Sequence, residues 1–375
     1  KISKVLKLKD IPFADNFSKS LIKTKHDKLY PIHIMLCASC SHLFLNHFID
    51  HNNYYKNKFS YKTQVTQELK KHFNNEIKII LNENKVVRNS FCLDIGSNDG
   101  TILSIFKKNK MEFLGIEPSI KIANYANKNG LKTLNCFFDN KIVNKIKSQY
   151  GRPKVITSTY TFANIENTKN FLKNIKNLIH PKGIFVIETG YHPRQMENNM
   201  FDYFYHEHFS YFCFKSLKIL LNNSGFKVIK VKVTEPKSGS IIVVSKKVET
   251  ICDLKSSYKF EKKFMVKEKK IGIYTSLFYK KFHKKIINYK KKLHLHLNSL
   301  KKRGERIVGY GASHSSTLLL HQFELNKFFD FLVDDNKIKH KTFSPNYKIP
   351  VLSSSEIYKQ KIKTVVLLAW NKKKY

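Results

Sequence analysis

The chain has 375 residues, of which 42% are apolar and 13% aromatic, and this composition excludes a disulfide-stapled miniprotein and a disordered chain. Its formal net charge of +41 suggests nucleic-acid binding, but only five of its 69 basic residues are arginines and the lysines run through the whole sequence. We therefore expect a lysine-coated surface with no nucleic-acid partner and, without an apolar run of about 18 residues, no membrane partner.

Residues 1–75 predict a small, loop-rich N-terminal domain. Residues 76–250 predict a larger domain in which short buried strands and amphipathic helices alternate, a pattern that indicates a parallel, doubly wound α/β sheet. The predicted strands and helices are 91–95, 101–108, 113–116, 120–128, 155–157 and 184–188.

Residues 251–375 predict a long helix followed by a second, smaller α/β domain. Apolar residues in the helix are spaced by three or four positions, which favours a core-facing stripe over a membrane or partner surface. A strand at 306–309, a glycine turn and a strand at 329–333 follow. The stripe consists of Phe278, Phe282, Ile286, Tyr289, Leu293, Leu297 and Leu300.

The six cysteines include one Cys-x-x-Cys pair, Cys37 and Cys40, and have no disulfide-framework spacing. This usage suits a reducing compartment, so we expect a cytoplasmic protein. We also expect a monomer. The first residue is Lys, and residues 365–375 read as a strand that is cut shortly after its end. We therefore interpret the sequence as a fragment.

The turn at 94–100, DIGSNDG, follows a predicted strand and opens a helix. It lacks the Gly-x-Gly-x-x-Gly pattern, and its acidic residues favour a cationic ligand without phosphates. Glu117 ends the next strand, where a carboxylate accepts hydrogen bonds from ribose hydroxyls. Together these features suggest S-adenosylmethionine. The predicted cofactor residues are Asp94, Gly96, Ser97, Asp99, Gly100, Glu117 and Pro118, with Phe137 or Asp139 beside the adenine.

A second cluster lies at 205–208, where the sequence is YHEH. Two histidines two residues apart could bind a metal ion from one strand face. A neutral imidazole beside a carboxylate is also the arrangement of a general base, and a structural role is equally compatible. The residues alone leave these three interpretations open.

The motifs DIGSNDGT at 94–101, GIEPS at 115–119, YHEH at 205–208 and GYGAS at 309–313 occur in the order seen in the three-domain sugar C-methyltransferases. The chain resembles that family over nearly its whole length. The resemblance implies an N-terminal zinc-binding domain, a central Rossmann-like domain that binds S-adenosylmethionine, and a C-terminal α/β domain. It also implies a methyltransferase acting at C-3 of a nucleotide-linked 4-keto-deoxysugar.

The resemblance assigns roles to several side chains. His208 matches the proposed base, and Tyr205 and Glu207 match neighbours that orient the base or the sugar. Tyr61 is the nearest match to an active-site tyrosine in the linker after the zinc domain, with Tyr54 and Tyr55 as alternatives.

The family binds zinc through two Cys-x-x-Cys pairs. Cys37 and Cys40 match the second pair, and the first is absent from this sequence. Because structural zinc takes four ligands, we expect zinc in the complete protein, and weak binding or none in this fragment.

The chain departs from the family pattern at Thr159 and Tyr160 and at 314–316, near the cofactor or the nucleotide-sugar in relatives. Methyl transfer is therefore better supported than the identity of the sugar. Two alternatives remain: O- or N-methylation of a sugar or small metabolite with the same cofactor, and a catalytically degenerate basic binding protein.

Overall fold

The computed structural model describes residues 1–21, 27–47, 49, 55–56, 63, 66–248 and 258–370. The strands in these ranges are β1 (Ile2–Ile11), β2 (Tyr30–Cys37), β3 (Leu43–Leu45), β4 (Phe91–Ile95), β5 (Glu112–Ile116), β6 (Thr133–Leu134), β7 (Val155–Thr159), β8 (Ile184–Gly190), β9 (Ser210–Tyr211), β10 (Phe226–Thr234), β11 (Ser240–Lys247), β12 (Ile307–Tyr310), β13 (Leu332–Asp334), β14 (Thr342–Phe343), β15 (Pro350–Ser353) and β16 (Thr364–Leu367). The helices are α1 (Gln67–Glu83), α2 (Thr101–Lys108), α3 (Ile120–Lys128), α4 (Asn140–Gln149), α5 (Thr168–Leu178), α6 (His192–Glu197), α7 (Phe214–Asn223), α8 (Lys259–Ile271), α9 (Ser276–Lys302), α10 (His314–Phe323) and α11 (Glu356–Lys359).

The N-terminal sheet contains β1, β2, β3 and, from much later in the chain, β9, and all its strand pairs are antiparallel. In β2, buried Ile32, Ile34 and Leu36 alternate with more exposed residues, the period-two pattern of a strand with one face on a core. The structure thus corrects the prediction of a loop-rich unit. That prediction overlooked the alternation of apolar and polar residues in β2.

The central sheet has seven strands in the order β10, β11, β8, β7, β4, β5, β6. Strands β4 to β8 pair with one another in parallel, which confirms the predicted doubly wound sheet between residues 91 and 188. The hairpin of β10 and β11 was not predicted. It extends the sheet with antiparallel strands, and the lysines of β10, Lys227, Lys230 and Lys232, gave it the appearance of a polar surface segment.

The C-terminal unit has a five-stranded sheet in the order β14, β15, β13, β12, β16. β12 lies parallel to both β13 and β16, so this unit is the second α/β sheet that the sequence predicted. The strand expected near the end of the sequence is β16, and residues 371–375 lie outside the described ranges.

Helix α9 spans 27 residues and places its apolar stripe on a core. Phe282, Ile286, Leu297 and Leu300 are buried there, in one hydrophobic cluster with residues of the N-terminal sheet and of the C-terminal unit. This confirms the core-facing interpretation of the stripe, except at Tyr289, which is 38% exposed. The first and last parts of the chain therefore share a core.

The predicted domain limits can be compared with the packing of individual helices. The limit at 75/76 falls within α1, whose Phe73 packs in one core with Phe106 of α2. The limit at 250/251 falls in a stretch outside the described ranges, and beyond it Phe260 and Phe264 of α8 pack against the central core. Both helices thus lie on the central domain.

Within the described ranges, no helix is long and apolar enough to cross a membrane. Five of the six cysteines lie there, and all five are free thiols.

Candidate active site

The turn between β4 and α2 depends on glycine. Gly96 has a φ of +74°, and a Cβ at this position would lie 2.0 Å from Oγ1 of Thr161. Gly100 has a φ of +80° where α2 begins. A side chain at Gly96 would therefore both strain the backbone and collide with the opposite loop.

A cavity of about 700 Å³ begins at this turn and extends to the C-terminal unit. It lies at the carboxyl ends of β4, β5, β7 and β8, the edge where open α/β sheets bind their ligands. Most of the residues predicted to hold the cofactor line it, namely Asp94, Gly96, Ser97, Glu117, Pro118 and Phe137.

Three of the predicted residues shape the surrounding backbone instead. The carboxylate of Asp99 accepts hydrogen bonds from the backbone N–H and the hydroxyl of Thr101, at 3.1 and 2.6 Å. Asp139 accepts from the N–H of Ile142 at 2.9 Å and caps α4. Gly100, with Asp99 and Asp139, is absent from the cavity lining.

Glu117 is buried, and its two oxygens accept hydrogen bonds from the backbone N–H groups of Asn98 and Ser119, at 3.0 and 2.8 Å. Burial raises the pKa of Glu117 to about 7, although these hydrogen bonds oppose the shift. Asp94 accepts from the hydroxyl of Thr157 at 2.6 Å, and burial likewise raises its pKa to about 7. Two buried carboxylates on one wall suit a cationic ligand.

Four buried polar atoms of residues that line the cavity have no hydrogen-bond partner among the described residues. They are Oγ of Ser97, Oδ1 of Asn164, Oγ1 of Thr189 and the hydroxyl of Tyr211. Because buried polar atoms in folded proteins are nearly always hydrogen-bonded, these atoms fit a ligand that carries polar groups of its own. S-adenosylmethionine meets both requirements, since it is a sulfonium cation with ribose, amino acid and adenine polar atoms.

His208 also lines the cavity. Its Nδ1 is 3.1 Å from the carbonyl oxygen of Tyr203, which can only accept, so Nδ1 carries the proton and Nε2 is the basic nitrogen. Burial lowers the pKa of His208 to about 3, so the imidazole is neutral near neutral pH. This is the protonation state that a general base requires.

Aromatic rings and backbone hydrogen bonds hold this imidazole. The ring centroid of His208 lies 4.7 Å from that of Tyr203 and 4.3 Å from that of Tyr205. Phe209, the next residue, donates its N–H to the carbonyl of Ala163 at 2.9 Å and accepts from the N–H of Leu45 at 3.0 Å. The segment is thus fixed on both sides, to the loop after β7 and to the N-terminal sheet.

The structure pairs Glu207 with His314, a residue that the sequence marked only as a departure from the family pattern. Nε2 of His314 donates to Oε1 of Glu207 at 2.6 Å, and Oδ1 of Asp15 lies 4.0 Å from Nδ1. Burial acts to lower the pKa of His314, but the carboxylates of Glu207 and Asp15 raise it above its usual value. No spacing rule could have found this contact, which joins residues 107 positions apart.

The predicted active-site tyrosine, Tyr61, and its alternative Tyr54 lie outside the described residues. Tyr55 is described and lines the cavity, where its hydroxyl accepts from Nδ2 of Asn164 at 2.8 Å. His206 does not line the cavity, and its Nε2 lies 3.3 Å from the carbonyl of Pro31 in the N-terminal sheet.

Tyr160, at the other departure from the family pattern, also lines the cavity. Its φ is +52°, an uncommon conformation for a residue other than glycine. Its hydroxyl lies 2.8 Å from Oγ of Ser240 and 3.4 Å from Oε1 of Glu188, which also bonds to His72 at 2.7 Å. Nothing in the sequence predicted these hydrogen-bond partners of the Tyr160 hydroxyl.

Cys37 ends β2 and Cys40 lies in the turn that follows, and the described residues hold no group of three or more metal-binding side chains. A hydrogen bond from the backbone of Cys40 lowers the pKa of the Cys37 thiol, and burial raises that of Cys40. Two thiols are half of a tetrahedral zinc site, so these residues alone do not form one.

Comparison with known protein families identifies the two larger parts of the chain. Residues 70–231 match the family described as methyltransferase domain, and residues 237–375 match the C-methyltransferase C-terminal domain. The chain is an S-adenosylmethionine-dependent methyltransferase. C-methyltransferase NovU from Streptomyces niveus is 23% identical over 361 residues, which cover 96% of this chain and 85% of that protein. These matches confirm the resemblance to C-methyltransferases found in the sequence.

Solved structures align with about half of the chain. An S-adenosylmethionine-dependent methyltransferase from Clostridium acetobutylicum is 14% identical, with a TM-score of 0.39, and covers 48% of this chain and 92% of its own. Magnesium protoporphyrin IX methyltransferase from Synechocystis, with S-adenosylmethionine bound, is 10% identical, with a TM-score of 0.37, and covers 53% and 89%. These similarities are too low to bear on substrate or mechanism.

Proposed function

We propose that this C-methyltransferase acts on a nucleotide-linked keto-deoxysugar, with His208 as the general base. The observation that carries the proposal is the hydrogen bond from Nδ1 of His208 to the carbonyl of Tyr203, which leaves Nε2 as the basic nitrogen at the cavity. A carbon next to a ketone is acidic enough for an imidazole to deprotonate when the two are held in contact.

In the proposed reaction, the C–H bond next to the ketone breaks and its proton passes to Nε2 of His208. The electron pair remains as an enolate, whose carbon forms the new bond to the methyl group. S-adenosylmethionine would supply that methyl group: the bond from its sulfonium sulfur to the methyl carbon would break as the new carbon–carbon bond forms, and S-adenosylhomocysteine would leave as a neutral thioether. Although burial makes His208 a weak base, the developing negative charge beside the imidazolium offsets that cost.

We assign the cofactor to the end of the cavity near the glycine turn. Glu117 would accept hydrogen bonds from the ribose hydroxyls, and Asp94 would face the positively charged part of the ligand. Gly96 and Ser97 would supply close backbone contact, and the unpartnered Oγ of Ser97 would gain a hydrogen bond.

Tyr205, Glu207 and Tyr55 are assigned to the sugar end. Tyr205 packs on His208, and Glu207 adjoins it in the chain. Tyr55 is the tyrosine of the linker segment that the structure describes on the cavity wall, so it takes the role first given to Tyr61.

Substitution of the base tests the proposal. With a 4-keto nucleotide-sugar in deuterated water and no methyl donor, the wild type should exchange the hydrogen beside the ketone, and His208→Asn should lose about 100-fold to 10,000-fold in exchange and in methyl transfer. Affinity for S-adenosylmethionine, measured by calorimetry, should hardly change. His296→Asn, on the exposed face of α9, is the matched control.

Two results would contradict the proposal. Exchange by His208→Asn at the wild-type rate would remove His208 as the base. Methyl transfer by the wild type to oxygen or nitrogen, without exchange at carbon, would replace the carbon-acid mechanism by O- or N-methylation.

We also propose Cys37 and Cys40 as two of four zinc ligands in a chain that contains a second Cys-x-x-Cys pair. Hydrogen bonding within the pair favours the Cys37 thiolate, the form that binds metal. Metal analysis of such a longer chain should find one zinc per molecule, and the metal should stabilise the fold without touching the cavity.

A further inference from the structure

Four charged side chains of alternating sign cross the junction of the three units. Nζ of Lys339 lies 2.6 Å from Oδ1 of Asp15, that oxygen lies 4.0 Å from Nδ1 of His314, and Nε2 of His314 lies 2.6 Å from Oε1 of Glu207. Asp15 follows β1, Glu207 precedes β9, and His314 begins α10. Glu207 and His314 both line the cavity, and their contact joins the central domain to the C-terminal unit.

His314 contacts the segment of the proposed base in two ways. It bonds to Glu207, the residue before His208, and its ring centroid lies 5.3 Å from that of Tyr205, whose ring in turn contacts His208. The side chain of Glu207 is only 7% exposed, so removal of its partner would leave a buried carboxylate uncompensated. Such a carboxylate would move towards solvent and take its chain neighbours with it.

We propose that His314 is a positioning residue for the reaction: it holds Glu207 and Tyr205 in place and so fixes Nε2 of His208 against the substrate carbon. This inference rests on the proposed function, because it assumes that His208 is the base. The rate of methyl transfer then depends on His314, a residue of the C-terminal unit that lies outside the cofactor end of the cavity.

Two substitutions separate positioning from mere packing. Gln at 314 keeps a hydrogen-bond donor for Glu207, whereas Leu keeps volume but donates nothing. His314→Leu should lower kcat and the rate of deuterium exchange by about 10-fold to 100-fold, because a displacement of about 1 Å is enough for such a loss. KM for the sugar and affinity for S-adenosylmethionine should change less than about threefold.

His314→Gln should restore most of the rate, to within about threefold of the wild type. Adding Glu207→Gln to His314→Leu should cost little more than His314→Leu alone, because both substitutions break one contact. The control is His321→Gln, seven residues further along α10, where the imidazole stacks on Tyr347 outside the cavity.

A measurement without substrate separates this inference from the proposed function. In ¹⁵N-histidine NMR spectra of the free protein, assigned with His208→Asn, the His208 signals should shift in His314→Leu, return in His314→Gln and stay unchanged in His321→Gln. Unchanged His208 signals and undiminished exchange in His314→Leu would overturn the positioning role. A wild type that exchanges no keto-sugar hydrogen would overturn the proposed base, and the NMR result would then still decide whether His314 positions His208.

Discussion

At the scale of single residues, the acidic wall at the cofactor end is the feature with the clearest pH consequence. Glu117 and Asp94 both have a pKa raised to about 7 by burial, so the free protein takes up protons there as the pH falls through that value. A ligand cation and its ribose hydroxyls favour the ionised carboxylates. Binding of S-adenosylmethionine should therefore release protons, and its affinity should rise with pH.

We expect the affinity to fall about tenfold or more between about pH 8 and about pH 6, measured by calorimetry. Glu117→Gln should weaken binding by about 2 to 4 kcal/mol at the higher pH, because an amide supplies one acceptor oxygen where the carboxylate supplies two. The remaining pH dependence should be shallower. Glu112→Gln, at the exposed start of the same strand, should bind like the wild type, and equal slopes for all three proteins would contradict the assignment.

The sequence was informative about residues that act through local geometry. Glycines at 96 and 100, and Glu117 after the next strand, could be placed at one edge because parallel strands end together there. Asp99 and Asp139 could not be distinguished from ligand contacts, since a carboxylate that caps a helix and one that binds a ligand look alike in sequence. The contacts of His314 and Tyr160 are with residues far away in the sequence, and no local sequence pattern predicts such contacts.

At the scale of elements, one buried carboxylate joins two helices of the central domain. Glu268 of α8 is fully buried and accepts from the N–H groups of Phe214 and Lys215, at 2.5 and 3.2 Å, where α7 begins. It also accepts from the hydroxyls of Tyr191 and Tyr274 at 2.9 and 2.5 Å. These four donors depend on one side chain.

Glu268→Gln should therefore lower the free energy of unfolding by about 2 to 4 kcal/mol in urea titrations, because the amide nitrogen cannot accept and leaves donors buried without partners. Lys267→Ala, the exposed neighbouring residue, should change it by less than about 0.5 kcal/mol. A loss as small as that of the control would mean that water replaces the carboxylate at these donors.

Among the elements, the long periodic helix α9 was predicted, whereas the short alternating strand β2 and the lysine-containing strand β10 were missed. The stripe of α9 predicted both the helix and its buried face, because a repeat of three and four positions over six intervals rarely arises in a loop. In β10, three lysines concealed a strand whose apolar residues pack in the core of the central domain. Because lysine is so frequent in this chain, a lysine in a pattern is a weak indication that its position faces solvent.

At the scale of the whole molecule, the core shared by the two ends of the chain predicts that they unfold together. Leu297→Ala on α9 should cost about 2 to 5 kcal/mol, because Leu297 is 1% exposed. Hydrogen exchange of β1, β2 and α10 should accelerate in parallel, whereas β4 and β5 keep their protection. Leu295→Ala, at a position that is 73% exposed, is the control, and acceleration confined to α9 would refute a shared unit.

The backbone hydrogen bonds of Phe209 bear on which carbon of the substrate is methylated. The residue after the proposed base is tied through its N–H to Ala163 and through its carbonyl to Leu45. These two bonds limit how far the segment can shift when a side chain such as that of His314 is removed, so we expect substitutions in the cavity to change the rate of methyl transfer more than the carbon that is methylated. To move methylation to a neighbouring carbon, a residue would instead have to be inserted or deleted beside Phe209. In such an engineered protein, the length of this loop would determine the product.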